Sequence, residues 1–189
     1  MQAIHINRKL NLVIPLPRDN GQTIHIHSTP INRVVFDAYF MVIAKTFAAI
    51  YGEGLGVSSG PAVAALLLKQ EAKKMGGDEY VAEVQHGLVG EIHRLTSAIL
   101  LTEQGWEAIP FDEALRKNML DQDEASEVEN ALAFFTVVSL MHRKTQLPGV
   151  LGMACDLWEA RIVSSNSTEF AASLRTPTKD EDITKKAAQ

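Results

Sequence analysis

The stretch Thr29-Pro30-Ile31-Asn32-Arg33-Val34-Val35-Phe36-Asp37-Ala38-Tyr39-Phe40-Met41-Val42-Ile43-Ala44-Lys45-Thr46-Phe47-Ala48-Ala49-Ile50-Tyr51 reads as one long helix and sets the expected class of the fold. Thr29 offers a capping hydroxyl, and Pro30 brings a φ already suited to a first turn. On a 100° wheel, Arg33, Asp37 and Lys45 share one sector about 120° wide. Val34, Val35, Phe36, Tyr39, Phe40, Val42, Ile43, Phe47 and Ile50 cover most of the rest. Such an arc is roughly twice the stripe of an ordinary surface helix, so the helix is either central to the core or buried in a partner. Val35, Phe36, Tyr39, Phe40, Ile43 and Phe47 are the candidate partner-binding residues. A membrane span fits poorly, because Asp37 and Lys45 interrupt a run barely long enough to cross.

Downstream the chain continues to read as helices. Gly52-Glu53-Gly54-Leu55-Gly56-Val57-Ser58-Ser59-Gly60-Pro61 is rich in glycine, but it lacks the lysine of a P-loop and follows a helix, not a strand. It is expected to be a flexible connection. A second helix over 61–75 is stopped by Gly76-Gly77. A third spans about 79–100, with Val81, Val84, Leu88, Ile92, Leu95 and Ile99 at steps of three and four. The chain turns around Gly105-Trp106-Glu107-Ala108-Ile109-Pro110, and a short helix follows from Asp112 to about Leu120. The next long helix opens at Asp123-Glu124 and ends near His142-Arg143-Lys144, so both ends complement its dipole. Phe134, Phe135, Val137, Val138, Leu140 and Met141 give it a second over-wide apolar face, and with 31–51 it is expected to form the centre of the fold. Pro148-Gly149 breaks it, and a shorter helix carries Leu151, Met153, Cys155, Leu157 and Trp158. Ser164-Ser165-Asn166-Ser167-Thr168-Glu169-Phe170 caps a last short helix ending near Leu174.

Ahead of the first helix, residues 2–28 read as β structure. Ile4 and Ile6, then Leu10, Leu12, Ile14 and Leu16, then Ile24 and Ile26 alternate with other residues, and Asp19-Asn20-Gly21 supplies a turn. Pro15 and Pro17 lack ladder donors, which ends their strand or places it at an edge. The expected fold is therefore mainly α with a small N-terminal antiparallel β ribbon, an α+β chain with a helical, bundle-like body. It forms a single domain over 1–174, with the ribbon in 1–28, the body in 29–174 and a disordered polar tail from 175 to 189.

Bulk properties narrow the function classes. A chain of 189 residues with 46% hydrophobic and 22% charged residues has the makings of one ordinary globular core. The net charge of −5 argues against a nucleic-acid partner, which demands a concentrated basic surface. Cys155 is the only cysteine, so neither an internal disulfide nor a cysteine-based zinc cluster can form. Residues 1–9 alternate apolar and polar side chains where a signal peptide has an unbroken apolar run, so the expected location is the cytoplasm.

Candidate chemistry is sparse. His5, His25 and His27 fall on the ribbon face opposite the isoleucines. They read either as zinc ligands of a small metal-dependent enzyme or as a solvated polar face. With no acidic or cysteine neighbour in sequence, the second reading is preferred and no metal or cofactor is assigned. Glu83-Val84-Gln85-His86 is half of a di-iron Glu-x-x-His signature with no second half, so Glu83, His86 and His93 are expected to be solvated. Cys155 has no cationic neighbour in sequence to activate it and reads as a small buried hydrophobe. No catalytic residue is assigned. The chain is expected to work by binding other proteins, using surplus apolar helix surface for self-association or for a partner's hydrophobic segment.

The order of parts, a β ribbon opening with Ile4-His5-Ile6 and a helical body behind it, is similar to tail assembly chaperones of long-tailed bacteriophages. The segment Leu157-Trp158-Glu159-Ala160-Arg161-Ile162-Val163-Ser164-Ser165-Asn166-Ser167-Thr168-Glu169-Phe170 resembles the end of such proteins. The resemblance implies a protein that coats the helical tape measure protein in the host cytoplasm, recruits the major tail protein, and is absent from the finished virion. A head–tail joining or other tail component of the particle is the alternative reading.

Overall fold

The computed structural model describes residues 10–142, 146, 149, 152, 155 and 159–175. Strands β1 (Asn11–Pro17) and β2 (Thr23–Ser28) form an antiparallel hairpin, with Leu12 opposite Ser28 and Pro17 opposite Thr23. Its turn closes with Gly21, at φ 77°, donating to the Arg18 carbonyl. The expected ribbon stops there, but the sheet does not. Strand β3 (Thr96–Thr102) pairs along the other edge of β2, placing Ala98 opposite Ile26, and turns back through Glu103 and Gln104 into β4 (Gly105–Pro110). Strand β5 (Arg161–Val163) pairs with the start of β1. The result is a five-stranded sheet in the order β4-β3-β2-β1-β5, antiparallel throughout.

This overturns the expectation of a mainly helical chain with a small N-terminal ribbon. The fold is α+β, with a full sheet assembled from three separate regions of sequence. The stripe assigned to a helix over 79–100 is helical only as far as Arg94, and Leu95 ends it at φ −89°, ψ 5°. From Thr96 the chain is a seven-residue strand around a four-residue apolar run, Ala98-Ile99-Leu100-Leu101, and periodicity alone cannot separate so short a run in a strand from one in a buried helix. The free edge of β2 decides, because its unpaired backbone groups need a neighbour. β4 was hidden in a stretch read as a turn, where Gly105 at φ 113° ends a two-residue connection. β5 pairs with Asn11, Leu12 and Val13 and stops short of Pro15 and Pro17. That half of β1 is an edge, where missing N–H groups are tolerated.

Helices with described bounds accompany the sheet: α1 (Arg33–Gly52), α2 (Gly56–Val84), α3 (Gly90–Arg94), α4 (Phe111–Arg116), α5 (Gln122–Met141) and α6 (Ser167–Ser173). One wider π turn, Gln85–Val89, joins α2 to α3. The glycine-rich segment is not a loose connection, since α2 already starts at Gly56 and buries Gly60 and Pro61. A Cβ on Gly60 would stand 2.8 Å from Phe134 and 2.9 Å from Ile50, so the missing side chain lets α1, α2 and α5 meet closely. At the expected stop, Gly76 (φ −156°) and Gly77 (φ 67°) break α2 and the helix resumes beyond them. α5 is capped by Asp121 and Glu124, each side chain bonded to the other's backbone, and residues 131–138 are all buried.

Both faces of the sheet are covered. Leu12, Ile14, Leu16, Ile24, Ile26 and Ala98 belong to the large cluster shared with α1, α2, α4 and α5. The opposite face presents Val13 and Ile99 to Phe170 and Ala171 of α6, with Trp106 and Ala108 beside them. The expected first strand over 2–9, His5 included, lies outside the described residues. So do most residues of the helix expected around Leu151–Trp158 and the tail expected beyond Arg175.

Candidate functional site

α1 begins three residues after Pro30. Asn32, not Thr29, caps it, its side chain accepting from the Val35 amide at 3.0 Å. Ile31 and Phe36, just before the cap and four residues into the helix, are both buried, the positions of a hydrophobic staple. Phe36, Val42, Ile43, Thr46 and Ile50 turn inward, and Thr46 satisfies its hydroxyl on the Val42 carbonyl at 2.8 Å. The backbone bends at Tyr39 (φ −109°, ψ 15°), and a Cβ on Gly87 of the π turn would fall 1.8 Å from the Tyr39 hydroxyl. α1 is thus anchored along one side only.

The other side is open. Val34 is 78% exposed, Met41 55% and Phe40 42%, far above the core residues of the same helix. Val34, Met41 and Ala48 recur at seven-residue steps, and all three are exposed together with Asp37, Ala38 and Lys45. Exposed residues stand on both sides of the bend at Tyr39, Val34, Asp37 and Ala38 before it and Met41, Lys45 and Ala48 after it. Arg33 and Asp37 form an ion pair across one turn at 2.8 Å, and the Arg33 guanidinium lies 4.9 Å from the Phe36 ring centre. Among the described residues Lys45 makes no ion pair. Aromatic rings line the flanks, with Phe40 edge-on to Phe36, and Phe47 against both Tyr51 and His142. Burial raises the Tyr51 hydroxyl above its ordinary value.

The six candidate binding residues divide. Phe40 is exposed, Val35, Tyr39 and Phe47 are half-buried against the core, and Phe36 and Ile43 lie inside it. Val34 and Met41, the most exposed large apolar side chains of α1, were not among them. Their signal was present in the sequence: Val34, counted above with the apolar arc, and Met41 both fall on the wheel between Asp37 and Lys45, the very residues that mark the outer side. By length and composition α1 could cross a membrane, with mean hydropathy 1.6 over its apolar window and 28% of that window buried.

The histidines stand elsewhere than expected. His25 is half-buried and His27 buried, not solvated. The ring of Phe170 lies 5.7 Å from His25 and 6.2 Å from His27, and His27 Nε2 is 2.8 Å from the Ser165 carbonyl. Burial, and secondarily the Arg161 charge, push the His25 imidazole below its ordinary value. His93 is also enclosed, edge-on to Phe111 at 5.0 Å, with Nδ1 3.0 Å from Asp112. His86 and Glu83 are exposed. Among the described residues no three histidine, cysteine or acidic groups gather where they could hold a metal ion. An open hollow near Arg18, Leu100 and Met119 holds the Arg18–Glu124 ion pair, with Asp121 at the cap of α5 beside it. Compared with known proteins, the chain matches no family model, no curated protein and no solved structure.

Proposed function

We propose that this chain is a tail assembly chaperone of a long-tailed bacteriophage, docking the tape measure protein along the outer face of α1 and recruiting major tail subunits while the tail is built. The observation that carries the reading is the open stripe of Val34, Phe40, Met41 and Ala48 on a helix otherwise anchored in the core. An apolar seam with seven-residue steps suits a helical partner, because it presents one row of side chains to the grooves of a facing helix. The tape measure protein of such phages is largely helical. The face mixes Arg33, Asp37 and Lys45 with its apolar residues, a pattern that suits a polypeptide better than a lipid surface, for which a basic excess is the usual device.

The test is co-purification of the chain with the tape measure and major tail proteins encoded beside it. Wild type is expected to retain the tape measure protein, and Val34→Asp and Phe40→Asp, checked for a native thermal transition, to lose it. Folded variants that retain it as wild type does would remove the α1 face from the proposal. A chain that persists in purified virions would point instead to a structural component of the particle.

A further inference from the structure

Two charges on the outer face of α1, Asp37 and Lys45, are arranged symmetrically about Met41, beside the Arg33 that pairs with Asp37 within its own helix. Asp37 stands four residues before it and Lys45 four after, while Val34 and Ala48 each stand seven away. All five are exposed on one stripe. Four residues of helix span about 6 Å. If two copies of α1 lie antiparallel with a two-fold axis through Met41, each Asp37 meets the other copy's Lys45 at the same level, and each Val34 meets the other copy's Ala48. Parallel pairing would set Asp37 on Asp37 and Lys45 on Lys45 instead. The face is therefore self-complementary in one direction and self-repelling in the other.

We infer that, in the absence of its partner, this chain pairs with a second copy of itself through α1, antiparallel and two-fold about Met41. Three further observations fit that occupant. Lys45 makes no ion pair among the described residues, so it is available to a second copy. Ala38 and Ala44 flank the seam and Ala48 lies on it, small side chains that let two helices approach closely. The axis falls at Met41, an adaptable side chain suited to meeting its own copy. A single helix face is smaller than the interface of a permanent dimer, so association is reversible and the same stripe becomes free for the tape measure protein. The inference rests on the reading of α1 as a docking face and adds the occupant that shields it beforehand.

Sedimentation of the full chain over a concentration series tests it. Wild type is expected to pass from monomer to dimer, with a dissociation constant in the range of about 1–100 μM. Lys45→Asp faces Asp37 with a like charge and is expected to weaken the dimer about tenfold or more. Combining Asp37→Lys with Lys45→Asp restores opposite charges across the axis and is expected to recover association. As a second readout, Met41→Cys in a Cys155→Ala background is expected to give a disulfide-linked dimer on mild oxidation, since two cysteines on the axis face each other. A chain that stays monomeric throughout, or a dimer indifferent to Lys45→Asp and not cross-linked through position 41, overturns the inference. Loss of tape measure binding in Phe40→Asp is read separately, so failure of self-pairing and failure of the chaperone reading are distinguishable.

Discussion

Arg18 and Glu124, 106 residues apart, form a two-pronged ion pair, Nε to Oε1 at 2.7 Å and Nη2 to Oε2 at 2.8 Å. The same carboxylate accepts the Asp121 amide at 2.8 Å, so one side chain both caps α5 and fastens the end of the β1–β2 hairpin to it. Arg18 also donates to the Met119 carbonyl. The hydrogen bond from Arg18 is the main reason that the Glu124 carboxyl is held below its ordinary value of 4.5.

Glu124→Gln, which keeps an oxygen able to accept the Asp121 amide but loses the charge, should therefore cost about 1–2 kcal/mol in urea unfolding at neutral pH, the loss of the charge-assisted pair with Arg18. The folded-state value is depressed, so this contribution is present above the unfolded carboxyl value and is lost as pH falls through the folded one. The gap between wild type and variant should narrow as pH drops below 4.5. A gap independent of pH would show that Glu124 acts only through the shape of its side chain.

Two glycines should resist the smallest enlargement. Gly60→Ala drives a methyl into Phe134 and Ile50, and Gly87→Ala drives one into the Tyr39 ring. Each is expected to lose about 1–3 kcal/mol by overpacking. Adding Tyr39→Phe to Gly87→Ala removes the atom nearest the new methyl and should recover part of the loss, a coupling that thermal melts of the four combinations will measure.

α6 should come off the sheet without unfolding the rest. Phe170 is its main buried side chain, and Trp106 Nε1 donates to the Arg175 carbonyl at 3.0 Å. Phe170→Ala is expected to shift Trp106 emission to the red while helical circular dichroism stays near wild type. Unchanged emission would mean that Trp106 is held independently of α6.

Mild acid should loosen the same face. The His25 imidazole is depressed by burial first and by Arg161 second, so the folded chain favours its neutral form. Stability from this group is full above the unfolded value of 6.5 and is lost as pH falls from there through the folded value. Between pH 7.5 and 5.5 wild type should lose more in melting temperature than His25→Gln does. Equal losses would clear His25 of this role.

Long elements were legible in the sequence and pairings were not. α1 and α5 show themselves by length and apolar content, and the cap at Asn166 lies in the stretch read as capping the last helix, whereas Asp121, an acceptor three residues before Glu124, was passed over for a start at Asp123-Glu124. β3, β4 and β5 were missed because seven, six and three residues carry too little pattern, and what makes them strands is an edge supplied by residues far away in the chain. The same long-range effect explains the histidines. Alternation correctly put His25 and His27 opposite the isoleucines, but only the return of Phe170 to that face turns an expected polar surface into a buried one. For α1, composition revealed the surplus of apolar surface. It could not say which part the core absorbs, since that depends on where α2 and α5 lie. α5, expected to share the surplus, is enclosed over 131–138, and of the two helices it is α1 that keeps an open stripe.

Hydroxyl-radical footprinting of α1, with the chain dilute and then saturated with tape measure protein, puts the docking claim to its most direct test, because Met41 is readily oxidised when solvent reaches it. Strong protection of Met41 and Phe40 in the complex, with exposed Met75 of α2 oxidised as before, is the predicted outcome. Oxidation of Met41 at the same rate in the complex as in the free chain would contradict it.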